Sequence, residues 1–440
     1  MTPPPRIAVV GAGMAGLAAA WRLHQAGAQV QVFEREPVVG GRAATVAQDG
    51  FLIDTGAILL SSQYHRTLGL VRDVGLGQAL LPGKPVLGIV RRGVIHELDM
   101  ARPLGSFLRW QALSGRAKLG LLRAVPDLLR HWGRCGFQSM APMAVLDGED
   151  CRRYALRVLG RELHDYFVDP LIRVNMFSST DRAPAADLIW LMRMFSNPAV
   201  LQLQGGMQRL PQALAARLPV RLGQGQGVAA VERVAAGVRM HLQDGATHDV
   251  DAAVLAVPPP VALTLAPWLQ GQHRAFLAQA EPIRSVAVSF GLKQVPASRA
   301  SIVMVPTAEQ PDVLGLVLQH HKAADRAPPG RGLVTLHLRH AWLAALPDQR
   351  DTTIAAHARG LASQLLQQPA MDVCTTHIHH WHYVDYARGV GSYRALQQMQ
   401  AEAPPDRVAL AGEYRSAGIE GAVISGEAAA KQLLDAKSWP

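Results

Sequence analysis

The first 35 residues limit the possible folds of this chain more strongly than any other segment. Residues 7–10 (IAVV) form a continuous apolar run that is typical of a buried parallel strand, and a glycine-rich segment follows at residues 11–16 (GAGMAG). Residues 14–25 are rich in alanine and leucine and predict a helix, and residues 29–33 predict a second strand that ends at Glu34. This order predicts a βαβ unit, from which doubly wound α/β domains are built.

The glycine-rich segment has the spacing of a dinucleotide-binding turn. Gly11 permits the tight turn after the strand, Gly13 allows the backbone to approach a pyrophosphate, and Gly16 allows the helix to pack closely on the strand. The helix start supplies free amide groups and the positive end of the helix dipole for phosphate. The other residues of this start are Ala12, Met14 and Ala15. Because a strand, a helix and a terminal acid frame the glycines, a chance glycine turn is the weaker interpretation.

The acid at the end of the second predicted strand indicates which nucleotide fits. Glu34, followed by Arg35, lies at the distance from the glycines at which a carboxylate accepts hydrogen bonds from both hydroxyls of a ribose. Its negative charge would repel a 2′-phosphate. The segment therefore predicts a dinucleotide that lacks this phosphate.

Composition excludes several classes of protein. The chain has 440 residues, of which 49% are hydrophobic and 18% are charged, and this is an ordinary globular composition. Its three cysteines, Cys135, Cys151 and Cys374, form no CxxC pair, so neither a metal cage nor a disulfide framework is predicted, and a reducing, cytoplasmic location is expected. The first six residues (MTPPPR) predict no signal peptide, and the apolar runs are too short for a membrane-spanning helix.

Two further segments extend the first motif. Residues 34–42 (EREPVVGGR) and 51–57 (FLIDTGA) follow the βαβ unit, and this succession resembles the FAD-dependent superfamily that includes monoamine oxidases, protoporphyrinogen oxidase and the phytoene-type desaturases. The resemblance implies that the ligand is FAD, with a glycine and an arginine beside its pyrophosphate and two small residues against its flat ring. These residues are Gly41 and Arg42 for the pyrophosphate, and Gly56 and Ala57 for the ring.

The C-terminal segment carries a second part of the same resemblance. Residues 408–413 (VALAGE) predict a buried strand that ends in an acid, and residues 418–426 (GIEGAVISG) lead into a helix that runs to about residue 434. The resemblance implies that Gly412 and Glu413 meet the ribityl chain of FAD and that the helix start faces the pyrophosphate. The residues of this helix start are Glu420, Gly421, Ala422 and Val423.

Domain boundaries follow from the same resemblance. Residues 203–211 (LQGGMQRLP) and the predicted strands after them resemble the middle segment of the FAD domain, which implies that the backbone near Val228 contacts the adenine. The predicted fold class is α/β, with a discontinuous, Rossmann-like FAD-binding domain of the GR2 flavoprotein type interleaved with an α+β substrate domain. The FAD domain is predicted at residues 1–75, 205–270 and 395–440, and the substrate domain at residues 76–204 and 271–394.

Few catalytic side chains are expected, because FAD itself accepts the hydride. Monoamine oxidases carry a lysine near the flavin on a substrate-domain strand, and the resemblance places Ala287 at that position in the matching residues 283–290 (IRSVAVSF). Lys293 lies farther along and is predicted at a solvated strand end. The missing lysine counts against a typical amine oxidase.

Residues 379–386 (HHWHYVDY) resemble the tryptophan-led segment that the family has beside the flavin. Trp381 matches the family tryptophan, and Asp385 or Tyr386 is a candidate catalytic acid or base, unless the aromatic residues only form a pocket wall. The histidines alternate between the two faces of a predicted strand and lack ligand spacing, so no metal is predicted. The segment has no cysteine for covalent attachment, and we expect FAD to be bound non-covalently.

The basic surplus, +10 in formal charge, is most concentrated at residues 102–134. Arginines recur there every seven residues with leucines and tryptophans between them, and Ser114-Gly115 and Pro126 divide the segment into short helices. A basic amphipathic surface for peripheral membrane contact or for entry of a lipophilic acidic substrate is one interpretation, and solvated faces of ordinary core helices are the other. The arginines of this repeat are Arg102, Arg109, Arg116, Arg123 and Arg130.

The favoured hypothesis is an FAD-dependent oxidase or desaturase that removes hydride from a small lipophilic substrate in a biosynthetic pathway. Only one dinucleotide fingerprint is present, so no built-in NAD(P)H site is predicted, and oxygen or another acceptor would reoxidise the flavin. The alternatives are a flavin amine oxidase, a cyclase, isomerase or dehydroxylase that uses reduced flavin and NAD(P)H, and a non-enzymatic escort protein. No nucleic-acid motif accompanies the positive charge, and the oligomeric state is left open.

Overall fold

The computed structural model describes residues 3–84, 86–196, 199–223 and 225–436. The strands are β1 (Arg6–Val10), β2 (Gln29–Glu34), β3 (Thr45–Gln48), β4 (Phe51–Asp54), β5 (Leu60–Ser61), β6 (Leu80–Pro82), β7 (Val86–Arg91), β8 (Val94–Asp99), β9 (Val200–Leu203), β10 (Val220–Leu222), β11 (Val228–Val234), β12 (Gly237–Leu242), β13 (Thr247–Val250), β14 (Ala252–Leu255), β15 (Pro282–Leu292), β16 (Ile302–Met304), β17 (Val313–Leu318), β18 (Gly332–Arg339), β19 (Val373–Tyr386) and β20 (Val408–Leu410).

The helices are α1 (Met14–Gln25), α2 (His65–Asp73), α3 (Pro103–Arg109), α4 (Gly115–Gly120), α5 (Val125–His131), α6 (Cys151–Val158), α7 (Arg161–Leu163), α8 (Asp169–Met176), α9 (Ala185–Met194), α10 (Arg209–Ala215), α11 (Pro259–Leu265), α12 (Gly271–Gln279), α13 (Asp351–Leu365), α14 (Ser392–Ala401) and α15 (Gly418–Asp435). A π-helical turn at residues 164–168 joins α7 to α8. Within the described ranges, no helix combines the length and the apolar character that crossing a membrane requires.

A parallel sheet with the strand order β10-β2-β1-β14-β20 carries the first glycine-rich turn. Its strands are short apolar runs because protein covers both faces, and Val10 lies opposite Leu255 on one side and Phe33 on the other. Helices α1 and α15 pack together on one face, where a Cβ at Gly426 would lie 2.1 Å from the carbonyl oxygen of Ala15. The five strands come from the beginning, the middle and the end of the chain.

A mixed sheet with the strand order β19-β15-β18-β17-β16-β7-β8 forms the second large element. One face is apolar and packs against α13, with Val286, Phe290 and Leu336 in one buried cluster with Ile354 and Ala358 of the helix. Because side chains alternate along a strand, the opposite face carries the residues between them. We call this the polar face, and its central residues are Ser285, Ala287, Ser289, Thr335, His337, His377, His379 and Trp381.

Smaller sheets complete the architecture. Strands β11, β12 and β13 form an antiparallel meander, β3 pairs with β4, and β9 lies between β5 and β6. The pairing of β3 with β4 brings Thr45 opposite Asp54, and the Thr45 hydroxyl donates a hydrogen bond of 2.7 Å to that carboxylate. The hairpin therefore fixes Asp54 at the start of the 54–57 segment.

The segment at residues 102–134 folds into short helices with an unusual outer surface. Ser114 caps α4 by accepting a hydrogen bond of 3.1 Å from Ala117 N, and α5 begins with Pro126 in its first turn. The predicted breaks at these positions are present. Leucines are exposed together with the arginines, up to 80% exposure at Leu104, whereas a surface helix ordinarily buries its leucines. We call this the leucine–arginine surface, with Leu104, Leu108, Leu119, Leu122 and Leu129 as its exposed leucines.

Candidate cofactor and substrate site

The turn after β1 packs its glycines in two different ways. Gly11 has a φ of +100°, and a Cβ there would lie 2.4 Å from the carbonyl oxygen of Ala256. A Cβ at Gly16 would lie 1.9 Å from the carbonyl oxygen of Gly11, so only glycine lets α1 approach the turn this closely. At Gly13, in contrast, no described atom lies within 4 Å of the position of a Cβ. The backbone at Gly13 therefore faces open space at the start of α1, where free amides favour a phosphate.

Glu34 at the end of β2 is held by backbone amides. One carboxylate oxygen accepts a hydrogen bond of 2.8 Å from Ala12 N, and the other accepts one of 3.0 Å from the amide two residues farther along. The Arg35 guanidinium lies at the exposed carboxylate of the next residue, 3.1 Å away. A Cβ at Gly227 would lie 2.8 Å from the Cβ of Arg35, and Gly227 directly precedes the buried Val228. Three predicted cofactor contacts, Glu34, Arg35 and Val228, thus lie at one end of the site.

Backbone contacts join the turn to the second motif. Gly13 and Gly40 form an isolated parallel bridge, and a Cβ at Gly41 would lie 3.5 Å from the Cα of Gly13. Farther along, Ala57 N donates a hydrogen bond of 2.7 Å to the carbonyl oxygen of Arg42. The residues that the sequence assigns to the pyrophosphate and to the flat ring are therefore in direct contact with one another.

Arg42 forms an ion pair with the buried Glu413. Both guanidinium Nη atoms donate to the Glu413 carboxylate, the Arg42 Nη1 also donates to the Val384 carbonyl oxygen at 3.2 Å, and the Tyr383 hydroxyl donates to Glu413 Oε1 at 3.0 Å. Burial acts to raise the pKa of Glu413, but the Arg42 charge outweighs it and holds that pKa below its usual range. The sequence directs Arg42 to the pyrophosphate, whereas in this structure its guanidinium lies on Glu413, because an unpaired carboxylate is costly at this depth.

Trp381 lies against the segment that the sequence assigns to the flavin ring. Its Nε1 donates a hydrogen bond of 3.2 Å to the carbonyl oxygen of Thr55, and a Cβ at Gly56 would lie 3.2 Å from its Cζ2. The same Cβ would lie 2.1 Å from the carbonyl oxygen of Arg42, so residue 56 must be small here. This contact brings the polar face of the mixed sheet to the 54–57 segment.

The other two catalytic candidates lie in a paired, buried group. Both carboxylate oxygens of Asp385 accept hydrogen bonds from Arg388, at 2.8 and 3.2 Å. The Tyr386 ring is 3% exposed and lies 4.3 Å from the Arg388 guanidinium, and burial raises the pKa of Tyr386 to about 12. This placement does not support the predicted acid–base role of Asp385 or Tyr386, because a partner already holds each group.

The start of α15 divides its residues between two tasks. The carboxylate of Glu420 accepts hydrogen bonds from Arg66 N (2.9 Å), Thr67 N (2.8 Å) and Thr67 Oγ1 (2.6 Å), and so caps the start of α2. The Glu420 side chain is therefore engaged by the start of α2, and the cofactor contact expected of this residue stays a prediction. The backbone amides left free at this helix start are those of Gly418, Ile419 and Glu420, because the helix begins at Gly418. The cofactor contacts expected of Gly412, Gly421, Ala422 and Val423 stay predictions.

A second buried ion cluster lies behind the 54–57 segment. Asp54 is fully buried and accepts hydrogen bonds from Lys322 Nζ (2.8 Å), Arg326 Nε (3.0 Å) and Met207 N (3.0 Å). Gln319 bonds both the amide and the carbonyl of Asp54, at 2.9 and 3.1 Å. These contacts fix the 54–57 segment to the loop that follows β17.

Sequence reasoning missed the cations of these clusters. Lys322 and Arg326 lie in a polar stretch that is typical of an exposed loop, and no local signal points to a partner more than 260 residues away. Arg388 follows Asp385 by three residues, and this spacing of opposite charges was an available signal.

The two positions that were compared with the lysine of monoamine oxidases lie on or next to β15. Ala287 lies on the polar face, and Lys293 lies at the end of β15, where it forms an exposed ion pair of 3.2 Å with Asp372.

The described residues fit FAD on three observations. Gly13 opens onto free space at the start of α1. The Ser416 hydroxyl, just before α15, is buried and has no hydrogen-bond partner among the described residues. The Arg42, Glu413 and Tyr383 side chains provide polar groups between these two helix starts. FAD supplies hydride chemistry where it binds. Within the described part of the chain, no group of three His, Cys, Asp or Glu side chains is arranged to hold a metal ion.

Comparison with known proteins identifies the family. The model of the flavin containing amine oxidoreductases matches residues 14–434. Protoporphyrinogen oxidase 2 of Arabidopsis thaliana is 32% identical over 169 residues, which cover 38% of this chain and 32% of that protein. Phytoene dehydrogenase of Streptomyces griseus is 30% identical over 289 residues, which cover 60% of this chain and 56% of that protein. The chain thus matches between a third and just over half of the length of these relatives.

Solved structures show the same fold. Cyclohexylamine oxidase from Brevibacterium oxydans IH-35A has a TM-score of 0.75 with this chain at 17% sequence identity, and the match covers 98% of this chain and 99% of that one. The mixed α/β architecture is therefore that of the FAD-dependent amine oxidase structures.

Proposed function

Because the chain belongs to the flavin-containing amine oxidoreductase family and is an FAD-dependent oxidoreductase, we propose that it removes hydride from a lipophilic organic substrate as an oxidase or desaturase. The observation that carries this proposal is that the charged side chains described above beside the 54–57 segment are paired with one another. Arg42 is paired with Glu413, Lys322 with Asp54, and the neutral Trp381 forms the wall. A site of this kind favours an uncharged, apolar ligand.

We propose that a Rossmann-like domain binds FAD non-covalently. FAD would lie along the open side of the turn at Gly13, with its pyrophosphate between the starts of α1 and α15 and its ring at residues 54–57. Support for non-covalent binding comes from the cysteines: Cys135 and Cys151 are buried in the helical region, and Cys374 lies seven residues before Trp381 on β19, or about 23 Å along the strand. Acid precipitation should release all of the flavin into the supernatant.

Gly13→Val tests the cofactor position, because a Cβ there meets no protein atom within 4 Å and a side chain would enter the proposed pyrophosphate site. We expect a folded protein that retains about one tenth of the wild-type flavin, or less than that, after gel filtration. Gly69→Val in α2 is the matched control, since a Cβ at Gly69 also meets no atom within 4 Å. Full flavin content in both variants would contradict the proposed position.

The reaction is tested by anaerobic reduction of the purified flavoprotein, followed by its visible absorption. Lipophilic compounds with a removable C–H bond are expected to bleach the flavin, whereas a panel of primary amines and NAD(P)H are not. Air should restore the oxidised spectrum if oxygen is the acceptor. Bleaching by amines would favour amine oxidation instead. Bleaching by NAD(P)H would favour the cyclase, isomerase or dehydroxylase alternative.

The leucine–arginine surface supports a second proposal, that the protein rests peripherally on an anionic membrane from which the substrate enters. Exposed leucines provide apolar area for the acyl boundary, and the exposed arginines around them complement anionic headgroups. Patches of this kind are rare on surfaces that meet only water. A bilayer with negative lipids satisfies both features at once.

Flotation with phosphatidylglycerol and with phosphatidylcholine vesicles tests this contact. We expect binding to the anionic vesicles that weakens with salt, and loss of about tenfold in affinity when Leu104, Leu108, Leu119 and Leu122 are replaced by glutamine. The control is the same replacement by glutamine at Val38 and Val295, which are exposed valines on other parts of the chain. Equal binding of wild type and the leucine variant would contradict the proposal, and concentration-dependent dimerisation that the leucine variant abolishes would favour a second copy as occupant.

A further inference from the structure

A surface pocket of about 400 Å³ lies where the β7–β8 hairpin meets the link between α3 and α4. Sites that hold small ligands have volumes of roughly 300–1,000 Å³, so this pocket has room for one. Gln111 and Ser114 in its wall belong to the link between α3 and α4, which places the pocket next to the leucine–arginine surface. We call it the Arg92 pocket, and its polar lining residues are Arg91, Arg92, His96, Gln111, Ser114 and Glu162.

Two hydrogen bonds join the walls of the Arg92 pocket. Trp110 Nε1 donates to the carbonyl oxygen of His96 at 3.0 Å, and Arg91 Nη1 donates to the carbonyl oxygen of Ala112 at 2.5 Å. Both bonds run between the hairpin and the link from α3 to α4, and the Trp110 ring is buried beneath them. The relative position of the two walls is therefore set by the protein itself.

The acid of the Arg92 pocket is already satisfied by its neighbours. Glu162 accepts hydrogen bonds from Arg91 Nη1 (2.7 Å), Ser114 N (2.9 Å) and Ser114 Oγ (2.6 Å). Burial acts to raise the pKa of Glu162, but the hydrogen bonds from Ser114 and Arg91 outweigh it and hold that pKa below its usual range. The Glu162 carboxylate is therefore charged, and Arg91 balances its charge.

The other polar side chains of the pocket lack a protein partner. The Arg92 guanidinium, the His96 imidazole and the Gln111 amide form no side-chain hydrogen bond or ion pair with any described residue. Arg92 offers five N–H donors and a positive charge, and Gln111 offers two further donors. Because Arg91 and Glu162 balance each other, the lining retains one positive charge and a surplus of donors. An anionic oxygen group is the ligand that uses both.

The backbone conformation of Arg92 is a separate indication that its side chain matters. Arg92 and Gly93 form the two-residue turn between β7 and β8, with φ angles of +53° and +71°. Such a turn favours Asn-Gly or Asp-Gly, because a longer side chain is disfavoured at positive φ. Glu309 stabilises the turn by accepting hydrogen bonds from the amides of Arg92 (2.8 Å) and Gly93 (3.1 Å). The protein thus holds an arginine at a position that asparagine fits more easily.

The neighbouring surface indicates where the anionic ligand comes from. Leu108 at the end of α3 and Leu119 in α4 are 75% and 69% exposed, and they flank in sequence the link that carries Gln111 and Ser114. A membrane that covers these leucines would bring its headgroups to the level of the pocket. A lipid headgroup therefore satisfies the apolar and the charged features together.

We propose that the Arg92 pocket binds the phosphate of an anionic lipid headgroup, and that it favours a phosphomonoester such as phosphatidate over a phosphodiester. This inference rests on the membrane contact proposed above and adds a headgroup preference to it. A phosphomonoester has three terminal oxygens and a charge of about −1.5 to −2 at pH 7. A phosphodiester has two terminal oxygens and a single charge. The unpaired donors of Arg92, His96 and Gln111 therefore match the monoester better.

The test is flotation of the purified flavoprotein with phosphatidylcholine vesicles that contain either phosphatidate or phosphatidylglycerol. The two vesicle types are matched in electrophoretic mobility, so that their surface charge is equal and only the headgroup differs. Wild type is expected to bind the phosphatidate vesicles at least about fivefold more tightly, which corresponds to one additional hydrogen bond.

Arg92→Asn removes the guanidinium and introduces a residue that the turn prefers, so we expect the fold to be retained. This variant should bind both vesicle types equally. Arg123→Gln is the matched control, because it removes one exposed positive charge of the leucine–arginine surface outside the pocket. It should weaken binding to both vesicle types alike and keep the wild-type preference. Gln111→Glu places a negative charge in the exposed wall and should also abolish the preference.

The outcomes separate the pocket from the membrane contact. Binding of both vesicle types without a preference, or a preference that Arg92→Asn and Gln111→Glu leave unchanged, would overturn this inference alone. Binding of neither vesicle type would refute the proposed membrane contact and this inference with it. Calorimetry with inorganic phosphate detects a soluble source: if Arg92→Asn abolishes phosphate binding and wild type shows no preference between vesicles, the lipid headgroup is wrong. Flavin content, recorded on the same samples, should be unchanged in all variants.

Discussion

The two buried carboxylates beside the 54–57 segment differ in how completely the protein surrounds them. Asp54 and its partners Lys322 and Arg326 are at most 2% exposed at their side chains, and two cations share one carboxylate. Glu413 is equally buried, but its partner Arg42 keeps 36% of its side chain exposed. We call the first cluster, Asp54 with Lys322 and Arg326, the closed joint, because it connects segments and excludes water. In the second cluster, part of the Arg42 side chain remains accessible to a ligand.

The difference teaches which ion pair can exchange partners. Asp54 holds its segment through hydrogen bonds that come from three separate parts of the chain, so any change there releases several contacts. Arg42 can turn towards a phosphate while Glu413 retains the hydroxyl of Tyr383. Similar chemistry therefore joins segments at Asp54 and leaves part of Arg42 accessible at the proposed cofactor site.

The largest effect is expected for Asp54→Asn. The change keeps the size of the side chain but leaves the buried Lys322 charge without its counter-charge and Arg326 with only its ion pair to Asp325, and we expect a loss of about 3–5 kcal/mol in the free energy of unfolding, measured by denaturant titration. Asp372→Asn breaks the exposed pair with Lys293 and is the control, with about 0–1 kcal/mol. Equal effects of the two changes would remove the distinction between closed and exposed pairs.

Lowering the pH should affect the buried His337 before it affects the two ion clusters. Burial acts to raise the pKa of Asp54 and Glu413, but the neighbouring cations hold both pKa values below the usual range, so each carboxylate stays charged between about pH 7.5 and pH 5. His337 has a lowered pKa of about 4, and below about pH 6.5 its unfolded form takes up a proton that the folded form does not. When the pH is lowered from about 7.5 to about 5, the free energy of unfolding of His337→Phe should therefore fall by about 2 kcal/mol less than that of wild type.

The control for this pH measurement is Asp54→Asn, whose deficit relative to wild type should be the same at both pH values, since Asp54 is charged at each. Denaturant midpoints at the two pH values measure both variants. If the difference in stability between Asp54→Asn and wild type became smaller at the lower pH, Asp54 would be losing its charge at a higher pH than its neighbouring cations lead us to expect.

Glu413→Gln should destabilise the fold less than Asp54→Asn. Arg42 loses a counter-charge, but its partly exposed guanidinium regains water, so we expect about 1–2 kcal/mol in the free energy of unfolding. Flavin retention on gel filtration should fall by about tenfold, because the ligand loses a positioned carboxylate. A loss of stability as large as that of Asp54→Asn, with flavin retained, would place Glu413 with the closed joint instead.

The smallest effect is expected for Tyr383→Phe. This change removes only the hydroxyl that donates to Glu413 Oε1, and the ring that lies 5.1 Å from the Arg42 guanidinium remains. We expect about 0.5–1.5 kcal/mol by the same denaturant titration. In a double-mutant cycle with Glu413→Gln, the two losses should not add, because both changes act on one hydrogen bond. Full additivity would contradict a shared role.

Local signals account for what the sequence predicted well. The apolar run, glycine turn and alanine-rich stretch predict β1 and α1 nearly to the residue, and the same holds for β20 and α15 near the other end. Each of these elements is specified by residues adjacent in the chain. The family fingerprint then supplied the ligand, which no single element determines.

Long-range pairing accounts for what the sequence did not predict. Lys322 and Glu420 lie in stretches that are typical of a loop and of a helix start, and their partners Asp54 and Thr67 are fixed only by the way the sheets pack. The outward leucines at residues 102–134 are a third case, because the helical period places leucines on one face without indicating which side faces the protein. Side-chain roles therefore needed the tertiary structure.

The pairing of β14 with both β1 and β20 has a consequence for synthesis of the chain. The turn at Gly13 emerges first, but the sheet that supports it receives its last strand only at residues 408–410, and α15 packs on α1 only after residue 426. Contacts between such distant segments are formed late in folding. A ribosome must therefore release residues 408–426 before the parallel sheet and the helix pair that support the turn at Gly13 can be complete.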